Sequence, residues 1–101
     1  MSITIKVTTG GLTKVGKRFT YHIWEQKDIK RVANRLKKLV KKYPPKKDLY
    51  GVGQEVYFYM KAYDNNGNEE GEDGALHNAK DVDNLMYDIR RLYLGVLRPL
   101  Y

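Results

Sequence analysis

Six apolar residues recur at helical spacing between positions 27 and 43, and two prolines follow them. The six are Ile29, Val32, Leu36, Leu39, Val40 and Tyr43. At about 100° per residue they fall within one arc of a helix, and Pro44 with Pro45 ends the run. The sequence therefore predicts an amphipathic helix over 27–43 that buries this arc in a core.

The opposite arc of this predicted helix is almost entirely cationic. Its residues are Lys27, Lys30, Arg31, Arg35, Lys37, Lys38, Lys41 and Lys42. Like charges lie four residues apart in four pairs, and each pair is unfavourable by about 0.2–0.5 kcal/mol. A face that is only solvated would mix its signs at less cost. The pattern therefore indicates an acidic partner, and nucleic-acid phosphates are the commonest one.

Charge is divided unevenly along the 101 residues, whose formal net charge is +7. Residues 1–47 carry 14 Lys or Arg and two acids, whereas residues 48–101 carry 5 Lys or Arg and 10 acids. Such asymmetry is typical of a chain with one polyanion-binding half. Further cations in the basic half would widen the binding surface: Lys14, Lys17, Arg18, Lys46 and Lys47.

Three stretches alternate apolar and polar residues, which is the period of a half-buried strand. The first begins at Ile3, and the second covers 18–24 after a basic connection that contains Gly10 and Gly11. We expect these two to form a hairpin. The third stretch covers 54–63 and places Val56 and its alternate neighbours on one side.

The reverse side of the third stretch carries Tyr57, Tyr59 and Tyr63, with Lys61 between them. Aromatic rings beside cations can stack on unpaired bases. Two other interpretations stay open: a helix or a second subunit covers the tyrosines, or they are there because tyrosine is a good strand former. Stacking would add to phosphate binding only if the tyrosines lie on the same surface as the basic helix.

Residues 64–74 are polar and glycine-rich without an apolar anchor, which predicts an exposed, flexible acidic loop. The alternative to an acidic partner is a basic helix face that is only solvated, or one that acids of this loop neutralise: Glu69, Glu70, Glu72 and Asp73. Whether the loop masks the basic helix as a lid stays open. Asn78 followed by Asp81 then predicts the start of a second helix, whose apolar residues continue at helical spacing over 82–96. Apolar residues over 94–101 exceed what one helix face buries and suit a dimer contact.

The element order β-β-α-β-(β)-α predicts one α+β domain over 1–101. We expect a small, mainly antiparallel sheet of three or four strands, with two amphipathic helices packed on one of its faces.

Residues suited to catalysis or metal binding are sparse. The chain has no cysteine, Ser2 is its single serine, and His22 and His77 are its histidines. No nucleotide, calcium or hydrolase motif is complete. We therefore expect no enzyme, no catalytic residue, no metal site and no cofactor. No secretory signal and no membrane-spanning run is evident, so we expect an intracellular protein.

A short, cysteine-free, lysine-rich chain with nine tyrosines resembles the small orphan proteins of viruses that infect hyperthermophilic archaea. The resemblance lies in composition and transfers no site residue. It implies a setting inside a host cell, high thermal stability and a function on viral or host nucleic acid.

These patterns predict a basic protein that binds DNA or RNA mainly through the phosphate backbone, with weak sequence preference. The alternative is a protein interaction module or homodimer that docks an acidic partner without nucleic acid. Attachment to anionic lipid headgroups is a third interpretation, but the core needs the apolar face of the helix.

Overall fold

The structure, a computed structural model, describes residues 2–10, 15–47, 53–63 and 67–94. Its elements are β1 (Ser2–Gly10), β2 (Val15–Ile23), α1 (Asp28–Lys42), β3 (Lys46–Lys47), β4 (Gly53–Tyr63), β5 (Glu69–Leu76) and α2 (Ala79–Leu94). The predicted α+β order is confirmed. The optional fourth strand is present as β5, and the two-residue β3 is an addition to the predicted elements.

The main sheet is antiparallel, with the strand order β2-β1-β4-β5. The start of β4 also pairs with β3. Val7 lies opposite Phe19 on one side and Phe58 on the other, so the apolar residues of three strands share a face. The predicted hairpin of β1 and β2 is confirmed.

Gly16 permits the close approach of the two hairpin strands. A Cβ atom at Gly16 would lie 1.8 Å from the carbonyl oxygen of Thr9. The register of the pairing shifts between Thr8 and Gly10, and the backbone N–H of Lys17 donates to the buried Thr9 hydroxyl at 3.0 Å. A larger residue at position 16 would push the strands apart.

Both helices cover the apolar face of the sheet. α1 packs beside β2 and α2, and α2 packs beside β5. α1 buries Ile29, Val32, Ala33, Leu36, Leu39 and Val40, while Tyr43 is partly buried against the same core. The predicted first helix is therefore confirmed, with each end one residue inside the predicted bounds.

The start of α2 is held by the two side chains that the sequence indicates. The backbone N–H of Asp81 donates to Asn78 Oδ1 at 3.0 Å, and that of His77 donates to Asp81 Oδ2 at 2.8 Å. This reciprocal pair satisfies N–H groups at the helix N-terminus. The C-terminal residues 95–101, which we predict to contribute to a dimer contact, lie outside the described residues.

The prediction of an acidic loop over 64–74 is wrong for 69–74, which belong to β5. The pairing runs from Tyr63 opposite Glu69 to Val56 opposite Leu76. Backbone hydrogen bonds to the long strand β4 hold this segment, and Leu76 is its buried anchor. Polar side chains are compatible with an edge strand, because that edge meets water. Residues 64–66 lie outside the described residues.

Candidate nucleic-acid interface

α1 forms part of the outer layer, and most of its predicted cations are exposed to solvent. Its apolar arc faces the sheet, so the opposite arc points away from the molecule. Five of these cations make no ion pair with any described residue: Lys30, Arg35, Lys38, Lys41 and Lys42. The ammonium of Lys42 lies 5.6 Å from the ring centroid of Tyr43.

Two of the predicted cations are engaged near the start of α1. Lys27 Nζ lies 3.1 Å from Glu25 Oε2, but both side chains are largely exposed. Arg31 lies 3.8 Å from the carboxylate of Asp28 and donates to the carbonyl oxygen of His22 at 3.4 Å. Arg31 thus ties the helix to the edge strand β2.

Asp28 fixes the turn that leads into α1. Its carboxylate accepts the backbone N–H groups of Trp24 and Glu25, each at 3.1 Å. These hydrogen bonds, with a smaller contribution from the guanidinium of Arg31, lower the pKa of Asp28 below its ordinary value. The carboxylate therefore stays ionised at neutral pH and is already engaged within the protein.

Lys37 lies between the helices rather than on the free cationic surface. Its Nζ lies 2.7 Å from Asp83 Oδ1 of α2, and its side chain is partly buried. An ion pair at this position joins the two helices and offsets part of the repulsion between Lys37 and Lys41. Among the predicted phosphate contacts on α1, Lys37 is the one whose ion pair joins the two helices.

The predicted cations outside α1 are spread over other parts of the molecule. Lys17 and Arg18 lie exposed on β2, and Arg18 is on the sheet face that the helices do not cover. Lys46 and Lys47 form β3, and their side chains lie outside what the structure describes. Lys14 lies outside the described residues.

The acidic residues of β5 do not neutralise α1. β5 pairs with β4 and packs beside α2, whereas α1 packs beside β2 at the opposite edge of the sheet. Glu69 forms an ion pair with Lys61 at 3.1 Å, also away from α1. The described acids 69–73 form no ion pair with α1, so within the described residues they do not mask the basic helix.

The three tyrosines lie on the sheet face opposite the helices. Tyr57, Tyr59 and Tyr63 are 44%, 45% and 39% exposed, so neither helix covers them. The tyrosines and the basic helix do not share a surface, because the sheet lies between them. Stacking on these rings therefore cannot add to phosphate contacts made by α1. The molecule thus has two separate candidate surfaces.

We call the uncovered sheet face the open face and define it by the outward residues of the four strands. They are Ser2, Thr4, Lys6, Thr8 and Gly10 of β1; Arg18, Thr20 and His22 of β2; Glu55, Tyr57, Tyr59, Lys61 and Tyr63 of β4; and Glu69, Gly71, Asp73 and Ala75 of β5. Glu55 lies next to Tyr57 in this row, and its Oε1 lies 3.3 Å from His77 Nε2. Lys6 is not among the predicted site residues. Its alternation with Ile5 and Val7 places it on the open face, but only the strand order places it beside Tyr59.

A second aromatic pair lies at one end of the open face. The rings of His22 and Trp24 stack with centroids 5.4 Å apart, and Trp24 is 63% exposed. His22 Nδ1 lies 3.3 Å from the hydroxyl of Thr4, the residue paired with it on β1. His22 is not among the predicted site residues, since its stacking on Trp24 needs the turn before α1.

The described residues contain no group of three or more His, Cys, Asp or Glu side chains that could hold a metal ion. Within the same ranges, no helix is both long and apolar enough to cross a membrane. No protein-family model, curated protein or solved structure matches this chain. The resemblance to viral proteins stays a prediction.

Proposed function

We propose that this protein binds nucleic acid through contacts between the solvent-facing cations of α1 and phosphate groups. The cations that carry the proposal are Lys30, Arg35, Lys38, Lys41 and Lys42, with Arg31 at their margin. From Lys30 to Lys42 the helix rises about 18 Å. A duplex carries one charge per about 1.7 Å of its axis, so a row of this length can meet several phosphates.

The observation that carries the proposal is the cluster of α1 cations that form no ion pair with any described residue. Lys37 is paired with Asp83 and Arg31 with Asp28, but Lys38 and Lys42 repel each other with no described acid beside them. Phosphates would supply the missing negative charge. Because lysine and arginine contacts to phosphate carry no base information, we expect weak sequence preference.

The test compares two variants with the same change in net charge. Lys38→Gln/Lys41→Gln removes two unpaired cations of α1, whereas Lys80→Gln/Arg91→Gln removes two exposed cations of α2. Affinity is measured by fluorescence anisotropy with a labelled duplex at about 50 mM salt. Each lost phosphate contact should weaken binding about tenfold there, so the α1 variant should lose about a hundredfold.

The α2 variant should bind within a few-fold of wild type, because its cations lie among acids of the same helix. Equal losses in both variants would mean that only net charge matters and would overturn the assignment to α1. Absence of duplex and single-strand binding by the wild type would overturn the proposal itself. An acidic protein partner would then become the leading hypothesis for the same cations.

A further inference from the structure

We infer that the open face is a second nucleic-acid site, which binds the unpaired bases of a single strand. This inference rests on the proposed function, since it names the strand state that one surface recognises. It concerns the side of the molecule opposite α1. The two surfaces therefore make separate contacts and can be tested separately.

The first support is the row of exposed rings along β4. Tyr57 and Tyr59 are two residues apart on one strand, so their Cα atoms are separated by about 7 Å. Tyr63 continues the row, with Lys61 between it and Tyr59. The ammonium of Lys61 lies 6.0 Å from each of these two ring centroids, while it is paired with Glu69. The row thus combines exposed rings with a cation beside them, which is the arrangement that single-strand binders use for stacking.

The second support is the change of charge across the tyrosine row. Tyr59 has Lys6 beside it on β1 and Asp73 beside it on β5. Arg18 extends the basic side on β2, and Glu69 lies on the acidic side. A single strand with its phosphates toward β1 and β2 would place its bases over β4. The carboxylates beyond would then accept hydrogen bonds from base N–H groups, such as N3–H of thymine.

The third support is the stacked pair at the far side of the same face. His22 and Trp24 lie about 10 Å from β4, two strand spacings away, with the short side chain of Thr4 between. Trp24 offers one more exposed aromatic surface. Rings exposed on a sheet face can stack on splayed bases but cannot reach bases stacked inside a duplex, so single strands are favoured.

The experiment uses a labelled oligothymidine strand of about twelve nucleotides and a strand of equal length without bases. Tyr57→Ala/Tyr59→Ala is compared with Tyr87→Ala, a control whose ring on α2 is 62% exposed. Stacking contributes at least about fivefold in affinity per base. The double variant should therefore bind oligothymidine at least about 25-fold more weakly than wild type.

Tyr87→Ala should bind oligothymidine as wild type does, and Tyr57→Phe/Tyr59→Phe should too, because phenylalanine keeps the rings. The phenylalanine variant also separates loss of stacking from loss of folding. On the strand without bases, wild type and Tyr57→Ala/Tyr59→Ala should bind equally. An oligouridine RNA strand of the same length shows whether the open face accepts ribose. For the strand that wild type binds more tightly, Tyr57→Ala/Tyr59→Ala should lose at least about 25-fold in affinity.

The inference is overturned if the alanine variant binds oligothymidine like wild type, or if removing the bases leaves wild-type affinity unchanged. Sedimentation gives a further outcome that overturns the inference: wild type is a dimer, Tyr57→Ala/Tyr59→Ala is a monomer, and both bind the single strand equally well. If Lys38→Gln/Lys41→Gln binds duplex as tightly as wild type, that result would count against the proposed function alone, because Tyr57 and Tyr59 lie on β4 and not on α1.

Discussion

Glu72 lies on the helix-covered side of β5, next to Asp88 of α2. It is opposite Met60 in the sheet, and its side chain is only partly exposed. Burial, together with the neighbouring carboxylate of Asp88, raises the pKa of Glu72 above its ordinary value of 4.5. Two acids that face each other across a strand and a helix are a local conflict in an otherwise apolar layer.

This conflict predicts a pH dependence of stability. The folded state holds the Glu72 proton more tightly than the unfolded chain does, so stability falls as pH rises through and above about 4.5. Glu72→Gln should remove this contribution. In thermal unfolding, the variant should melt above wild type at pH 7 and close to it near pH 4. A melting-temperature difference that is the same at both pH values would contradict this explanation.

At the scale of the element, α1 shows a conflict between helix stability and binding. Lys38 and Lys42 lie four residues apart and repel each other. Lys38→Glu would replace this repulsion by an attraction with glutamate on the N-terminal side, which is the favourable order. Loss of the repulsion and gain of the attraction should together raise the free energy of unfolding by about 0.4–1 kcal/mol, as measured by urea denaturation.

The same substitution should weaken duplex binding, because it replaces a phosphate contact by a like charge. Stability and affinity would then move in opposite directions, as expected where function requires unfavourable local contacts. Lys80→Glu provides the control, since it changes charge equally on α2. If Lys38→Glu leaves duplex affinity no weaker than the control does, α1 is not the binding element.

Elements with a buried face could be predicted from the sequence, whereas residues 69–74, which backbone pairing with β4 holds in a strand, could not. The spacing from Ile29 to Val40 predicts α1, and Asn78 with Asp81 predicts the start of α2, because each pattern reports a local requirement. β5 has the composition of a loop, and its strand structure comes from β4. Pattern alone cannot supply that partner, since the pairing depends on strands that are distant in sequence.

The residues of the candidate surfaces could be predicted from the sequence, but their arrangement in space could not. The cations of α1 and the tyrosines of β4 are evident from helical and strand spacing. Their separation by the sheet is not, because it depends on which face the helices cover. The engagement of Lys37 by Asp83 and the position of Lys6 beside Tyr59 likewise follow from tertiary structure.

At the scale of the molecule, the basic strand β2 and the acidic strand β5 lie apart in the sheet. The strand order places β2, with Lys17 and Arg18, at one edge and the acidic β5 near the other. The helices lie on one side of the sheet, and the open face lies on the other. A duplex on α1 and a single strand on the open face would therefore not compete for the same surface.

The most direct test of the central claim is the salt dependence of duplex affinity. If about six cations of α1 and its margin meet phosphates, log K should fall with log salt at a slope near −5. Lys38→Gln/Lys41→Gln should reduce the steepness by about two, and Lys80→Gln/Arg91→Gln should leave it unchanged. A slope near zero for wild type, or an unchanged slope in the α1 variant, would contradict phosphate binding by α1.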